Sequence, residues 1–460
     1  MTTVYVPRLM LAAPRSGSGK TTIATGIMAA LRQRGLVVQP GKVGPDYIDT
    51  GYHELASGRR RQNLDTWLTA PAQLPQQLMH MASGADITII EGVMGLYDGG
   101  RGGISSSAEI ARRLQIPVVL VIDVKSMGAS AAAVACGFRD FNPQVPFAGV
   151  ILNRLGSATH EAMIREAMQE HGIRVFGAVH RDDSLVMPER HLGLVPVEES
   201  EQHDIVERLG RSIAAQTDID GLLEMAQSAP PFSSADEAAA APAAPWRLGV
   251  ARDKAFSFYY SDSLAELERQ GAELVYFSPL ADHQLPPVDG LLFGGGYPEM
   301  FAADLAANDS LRRELRAAAA QGMPIYAECG GYMYLMERMR DLEGHEYPMA
   351  GVLRGTTAMT HKLQMVGYVE AELQQETVLG PAGLKLHGHE FHFSVEETDV
   401  PQRPLMLTKL RNGQTYPAGQ MNPGGNVLGS YLHLDFAGSR AAAEYFAAVC
   451  RSYRRENADG

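Results

Sequence analysis

The chain has 460 residues, of which 45% are hydrophobic and 20% charged, with a formal net charge of -13. This length predicts two or three domains, since single domains usually hold about 50–250 residues, and the composition excludes a disordered or membrane-embedded chain. The acidic balance argues against a nucleic-acid or anionic-membrane surface, while leaving room for a local basic phosphate site.

The three cysteines, Cys136, Cys329 and Cys450, are widely separated and lack metal-ligand spacing. Reduced thiols in a cytoplasmic protein are expected, rather than a disulfide framework or structural zinc. The N-terminal VYVPRLMLAAP is too short to span a bilayer and reads as a first buried strand. Leu9 through Ala13 lead into SGSGKTT and then TIATGIMAALRQRG, whose apolar spacing and closing Gly35 mark a helix. The segments LVVQPGKVGPDYID, ADITIIEGVMGLYDG, IPVVLVIDVKSMG, PFAGVILNRLG and IRVFGAVH follow, each with a Val/Ile-rich run and a polar or glycine end. SSSAEIARRLQ and THEAMIREAMQEHG between them are helical in pattern. Strands alternating with helices predict a mostly parallel sheet covered on both faces, with chemistry beyond its C-terminal strand ends.

Residues 228–246 are rich in Ala, Pro and Ser and read as a linker between domains at 1–227 and 247–460. The second α/β unit opens at RLGVARD, with a helix over 261–270, strands in ELVYFSP and DGLLFGGGYPE, and a long Ala-rich helix ending at Gly322. After PIYAECGG and a further helix, MVGYVEAELQQE and FHFSVEET alternate like antiparallel strands.

APRSGSGKTT is the sharpest chemical signal of the first half. Ser16, Gly17, Ser18 and Gly19 let backbone N–H groups converge on phosphate, Lys20 neutralises it, and Thr21 or Thr22 reaches a bound Mg²⁺. Pro14 stands where the phosphate-loop pattern has its first glycine. Asp46 and Glu91 follow apolar strands, where they could hold Mg²⁺ with Thr21 or cap loops. Asp98 either projects toward an acceptor or forms a turn. Lys42 is a second phosphate-side charge or a surface lysine, and Asn153 a purine contact or a helix cap. The run Arg59–Arg61 either meets acceptor carboxylates or ends a solvated helix.

In the second half, PIYAE followed by CGG has the form of a strand, a nucleophile elbow and a helix, with small neighbours that expose the Cys329 sulfur. The other reading of Cys329 is a small buried hydrophobe. His387, His389 and His392 invite a zinc reading, which would need further oriented ligands; hydrogen bonding is the alternative.

Taken together, GSGKTT, KVGPDYIDTGYH, ITIIEGVMGLYDG, ERHLGLVP, LLFGGGYPE, AECGGYMYL, HGHEFHFS and SYLHLDF closely resemble the cobyrinic and hydrogenobyrinic acid a,c-diamide synthases. The resemblance implies an N-terminal ATP-dependent amidoligase domain similar to dethiobiotin synthetase, followed by a class I glutamine amidotransferase domain. It implies ATP, Mg²⁺ and L-glutamine, and acyl phosphates formed at the a- and c-acetates of cobyrinate; hydrogenobyrinate or another modified tetrapyrrole is the alternative acceptor. Asp46, Tyr47 and Asp98 become acceptor-side candidates, Cys329 the glutaminase nucleophile, His433 its base, and Gly295 and Gly330 the oxyanion donors. The family pattern puts a Glu two residues after the histidine; here that position is Asp435, whose shorter carboxylate could orient His433 or point elsewhere. A P-loop interaction switch would explain GSGKTT but leave the second set of motifs without a joint role. A homodimer is the default for an oligomer, with no nucleic-acid or membrane partner expected.

Overall fold

The computed structural model describes residues 2–47, 49–182, 201–234 and 244–458. The chain divides into two compact units, 1–238 and 239–460.

In the first unit a seven-stranded sheet runs in the spatial order Gln62–Leu64, Val38–Val43, Ile87–Glu91, Arg8–Ala12, Val118–Asp123, Phe147–Leu155 and Val175–His180. Every neighbouring pair is parallel. The strands are continuous apolar runs because both faces are covered, and the twofold alternation of a strand sorts them between two cores. Leu9, Leu11, Val119 and Val121 join one core; Met10, Ala12, Leu120 and Ile122 join the other. Helix Lys20–Gln33 lies on the first of these faces beside helix Glu201–Gln216, so closely that a Cβ on Gly26 would fall 2.4 Å from Ile213.

The expected linker is in part a piece of this unit. Phe232–Ser234 pairs antiparallel with Thr2–Val4. The buried Arg8 guanidinium donates to the carbonyls of Leu114, Val6 and Pro230 at 2.8–3.0 Å and lies 4.2 Å over the Phe232 ring. Composition missed this because the anchoring partner sits more than two hundred residues upstream. Residues 235–243 of the expected linker, and the ERHLGLVP stretch, lie outside the described residues.

The second unit is built on a six-stranded sheet in the order Ala272–Phe277, Trp246–Ala251, Gly290–Phe293, Ile325–Glu328, Val427–Ser430 and Gln420–Met421. All its pairings are parallel except the last. An antiparallel sheet of Thr415–Ala418, Leu405–Lys409, Met365–Leu373, Lys385–His392 and His433–Leu434 accounts for the alternation of MVGYVEAELQQE, while FHFSVEET runs on into Ser394–Glu397, which pairs antiparallel with Thr356–Met359 in a separate four-stranded sheet. The long Ala-rich helix is two helices, Ala302–Ala307 and Asp309–Ala320. Asn308 divides them: its Oδ1 accepts from the Leu311 N–H while its Nδ2 donates to the carbonyls of Pro279 and Asp282.

Candidate active sites

The first site lies where the central strand Arg8–Ala12 gives way to the glycine loop. Gly19 adopts a left-handed φ of 87°, and a Cβ there would fall 2.3 Å from Asn153 Nδ2. Asn153 is committed to this loop: its Nδ2 donates to the Ser18 carbonyl at 2.9 Å. It is thus anchored beside the loop through a backbone contact. Ser18 Oγ closes the loop on the Arg15 carbonyl at 3.0 Å, whereas Ser16 and Gly17 are exposed. Arg154, which no sequence motif signalled, donates to the Gly17 carbonyl and to Asp123 Oδ2 at 2.7 Å. A cavity of about 420 Å³ adjoins the loop, lined by Pro14, Arg15, Ser18, Ile122, Asp123 and Met127 among others.

Thr21, Asp46 and Glu91 converge around Lys42. Thr21 Oγ1 donates to Glu91 Oε1 at 2.8 Å, and Lys42 Nζ lies 3.0 Å from Glu91 Oε1 and 3.5 Å from Asp46 Oδ2. Lys42 is buried, so the surface reading of that residue is wrong: its strand neighbours Ile87–Glu91 in the sheet interior. Lys20 is also buried and donates to the Met94 carbonyl at 2.6 Å. His53, another residue the motifs did not single out, places Nε2 2.8 Å from Glu91 Oε2. Burial alone would raise the Glu91 carboxyl, but Lys42, His53 and Lys20 outweigh it and hold it well below the usual carboxylate range. An ionised carboxylate, a second carboxylate and a hydroxyl form a hard oxygen set that suits Mg²⁺.

Asp98 closes a turn by accepting the Gly95 N–H at 3.0 Å, and a Cβ on Gly95 would fall 2.6 Å from the Pro14 carbonyl. That turn therefore abuts the phosphate loop. Tyr47 is buried with its carbonyl accepting from Arg61, and the Asp46 carbonyl accepts from Asn63. Thr22 lies one residue further into helix Lys20–Gln33. Arg59 does not present a free cation to an acceptor: it donates to Gln39 Oε1 and to the carbonyls of Ser83 and Gly84.

The second site forms where strand Ile325–Glu328 meets the six-residue helix Gly330–Leu335. Cys329 occupies the bend at φ 45°, ψ -103°, a sparsely populated conformation for a side-chain-bearing residue. Its N–H donates to the Ser430 carbonyl at 2.8 Å, which fastens the bend to strand Val427–Ser430. The glycines after it are steric requirements. A Cβ on Gly331 would meet Phe293 Cβ at 2.5 Å, and one on Gly330 would meet Pro298 at 2.9 Å. Gly295 lies against the His433 ring, where a Cβ would sit 2.7 Å from Cε1.

His433 is buried within hydrogen-bonding reach of the Cys329 thiol, with Glu328 Oε2 3.5 Å from its Nδ1. Burial would lower its pKa, but Cys329 and Glu328 raise it to about 10. The carboxylate expected beside the histidine belongs elsewhere: Asp435 Oδ1 accepts from Ser263 Oγ at 2.9 Å and from the Ala437 N–H at 3.0 Å. The three other histidines part ways. His387 faces Glu370 at 3.7 Å and is partly exposed, whereas His389 is buried with its ring stacked 4.8 Å from that of His433. His392 stacks on Tyr431 at 3.9 Å and contacts the Ser394 carbonyl through Nδ1 at 2.8 Å. Burial and the positive His433 hold His389 well below its ordinary value.

Residues 9–195 match the CobQ/CobB/MinD/ParA nucleotide binding domain, and residues 247–441 match the CobB/CobQ-like glutamine amidotransferase domain. A cobyrinate a,c-diamide synthase from Dehalococcoides mccartyi strain CBDB1 is 42% identical, over 97% of this chain and 99% of that protein. The hydrogenobyrinate a,c-diamide synthase of Streptomyces coelicolor is 40% identical, over 97% and 98%. The cobyrinate a,c-diamide synthase of Methanosarcina acetivorans is 41% identical, over 98% and 97%. With both sites and both domains in place along its length, the chain belongs to the cobyrinate/hydrogenobyrinate a,c-diamide synthase family.

Proposed function

We propose that the chain uses ATP and glutamine to convert the a- and c-acetate carboxylates of cobyrinate into amides, with hydrogenobyrinate as the alternative acceptor. The observation that carries this reading is the pairing, in one chain, of the Thr21–Glu91–Lys42 cluster at a phosphate loop with the Cys329–His433 pair at a strained elbow.

A carboxylate oxygen is a poor leaving group, so each acetate is first phosphorylated. In the first unit, which we read as a relative of dethiobiotin synthetase, residues 16–22 cradle the triphosphate and Lys20 and Lys42 offset its charge. Thr21, Asp46 and Glu91 would hold Mg²⁺, which would neutralise phosphate charge when bound. Asp46, Tyr47 and Asp98 face the acceptor in this scheme. In the second unit, His433 holds the proton drawn from the Cys329 thiol, and Sγ attacks the glutamine amide carbon. Gly295 and Gly330 N–H groups receive the oxyanion, and His433 returns the proton to departing ammonia. Water then releases glutamate from the thioester. Ammonia displaces phosphate from the acyl phosphate, and two rounds consume two ATP and two glutamine.

The test incubates purified protein with ATP, Mg²⁺ and glutamine, and compares cobyrinate with hydrogenobyrinate by product mass. A diamide from one acceptor is expected; none from either would refute the reading. Cys329→Ser should abolish glutamine-driven amidation and keep ammonium-driven amidation, and retained glutamine hydrolysis would remove the nucleophile assignment.

A further inference from the structure

We propose that Glu328, the residue immediately before the nucleophile, is the carboxylate that orients His433 for glutamine hydrolysis. The inference rests on reading Cys329 and His433 as the glutaminase pair. Its ground is the placement of both oxygens of one buried carboxylate. Oε2 lies 3.5 Å from His433 Nδ1, and Oε1 accepts the N–H of Leu434 at 3.0 Å. The carboxylate is therefore fastened to the backbone just beyond the histidine it faces, and the two side chains are only 8% and 3% exposed.

The elbow makes this arrangement possible. An ordinary strand sends successive side chains to opposite faces. Here the chain turns at Cys329 with φ 45°, and both Glu328 and Cys329 act on the same imidazole. A carboxylate at Nδ1 keeps a proton on that nitrogen and leaves Nε2 to exchange one with the thiol, and it stabilises the imidazolium that results. Glu328 itself takes no proton. Its part is to orient the ring and to favour the charged form while the Sγ–C bond forms and the C–N bond breaks.

The other groups around the ring do not fill this place. Asp435, at the spacing where a carboxylate is expected, instead binds Ser263 Oγ and the Ala437 N–H, and so secures helix Ser261–Arg269 to the turn at Phe436. Glu390 is bound by the Tyr416 hydroxyl. His389 stacks on the ring face, and His392 is held to the Ser394 carbonyl.

The experiment compares the full chain with its Glu328→Gln, Glu328→Asp and Asp435→Asn variants. For Glu328→Gln the kcat for glutamine hydrolysis should fall roughly 10- to 100-fold with KM for glutamine little changed, as expected when base positioning is lost. The basic limb of its pH–rate profile, set by loss of the His433 proton, should move to lower pH. Glu328→Asp should recover part of the rate. Amidation driven by ammonium chloride should persist, which shows that the variant is folded. Unimpaired hydrolysis in Glu328→Gln, or a loss shared equally by the ammonium-driven reaction with no shift of the basic limb, would overturn the proposal. So would an Asp435→Asn variant that alone reproduced the lost rate and shifted limb. Absence of glutaminase activity from the unmodified chain would overturn the Cys329–His433 pair, and the role of Glu328 with it.

Discussion

Replacing Lys42 by methionine measures how strongly the first site depends on a buried ion pair. Lys42 and Glu91 are register partners on adjacent parallel strands, with side chains 3% and 1% exposed and Nζ 3.0 Å from Oε1. Methionine keeps most of the stem's volume and removes the charge. Stripping one partner from a buried pair costs about 3–5 kcal/mol, because the other charge stays buried. Glu91 keeps the Thr21 hydroxyl at 2.8 Å and His53 at 2.8 Å, so the lower end, about 3 kcal/mol, is expected. In a unit of this size each kcal/mol moves the midpoint by roughly 2–4 °C, which gives a fall of roughly 6–12 °C.

The sign with pH is specific. A carboxyl held below its unfolded value contributes stability above about pH 4.3 and loses it as the pH falls toward its folded pKa. Without Lys42, burial has more weight and the Glu91 carboxyl rises, so the variant's deficit is full at pH 7 and shrinks only as the pH falls below about 4, toward the low folded value of the intact protein. Scanning calorimetry on the full chain, with glutaminase activity marking the transition of the second unit, resolves the effect. A first-unit deficit below about 1 kcal/mol at pH 7, or one that does not shrink as the pH is lowered below about 4, would refute this account of the pair.

Two further substitutions probe the second unit. Gly331→Ala places a methyl 2.5 Å from Phe293 Cβ and 2.6 Å from its carbonyl, so the elbow must shift. Destabilisation of about 1–3 kcal/mol is expected, with glutamine hydrolysis reduced more than ammonium-driven amidation; denaturant unfolding and the two rates check it. His392 is lowered to about 4 by burial, helped by the charged His433 and opposed by its bond to the Ser394 carbonyl. A lowered histidine contributes stability above its unfolded value near 6.5 and loses it as the pH falls through about 4. His392→Phe keeps the ring on Tyr431, so the second unit's stability should fall less steeply between those pH values, read as the slope of unfolding free energy against pH. An unchanged slope would contradict the prediction.

Much of both sites was legible because their chemistry is local. A glycine loop between an apolar strand and a helix needs only neighbouring residues, and Gly19, Lys20 and Thr21 stand where that pattern puts them. The bend at Cys329 is signalled just as locally by the two glycines after the sulfur, although Phe293 and Pro298, the residues that press against them, come from distant segments. Strand alternation and Val/Ile-rich runs were enough for the parallel sheets and for the antiparallel strands Met365–Leu373 and Ser394–Glu397.

Contacts between distant segments were not legible. Arg8 holds Phe232 in the first unit, Asn153 and Arg154 reach the phosphate loop from a strand more than a hundred residues away, and His53 joins Glu91 from a helix. The family pattern left open whether Asp435 orients His433 or points elsewhere; folding turned Asp435 toward Ser263 and set Glu328 beside the ring. The residue types and local turns determined by themselves that this chain carries a phosphate loop and a thiol elbow. Only the tertiary structure decided which carboxylate meets which cation, because a side chain's partner depends on the strand register and burial that folding imposes.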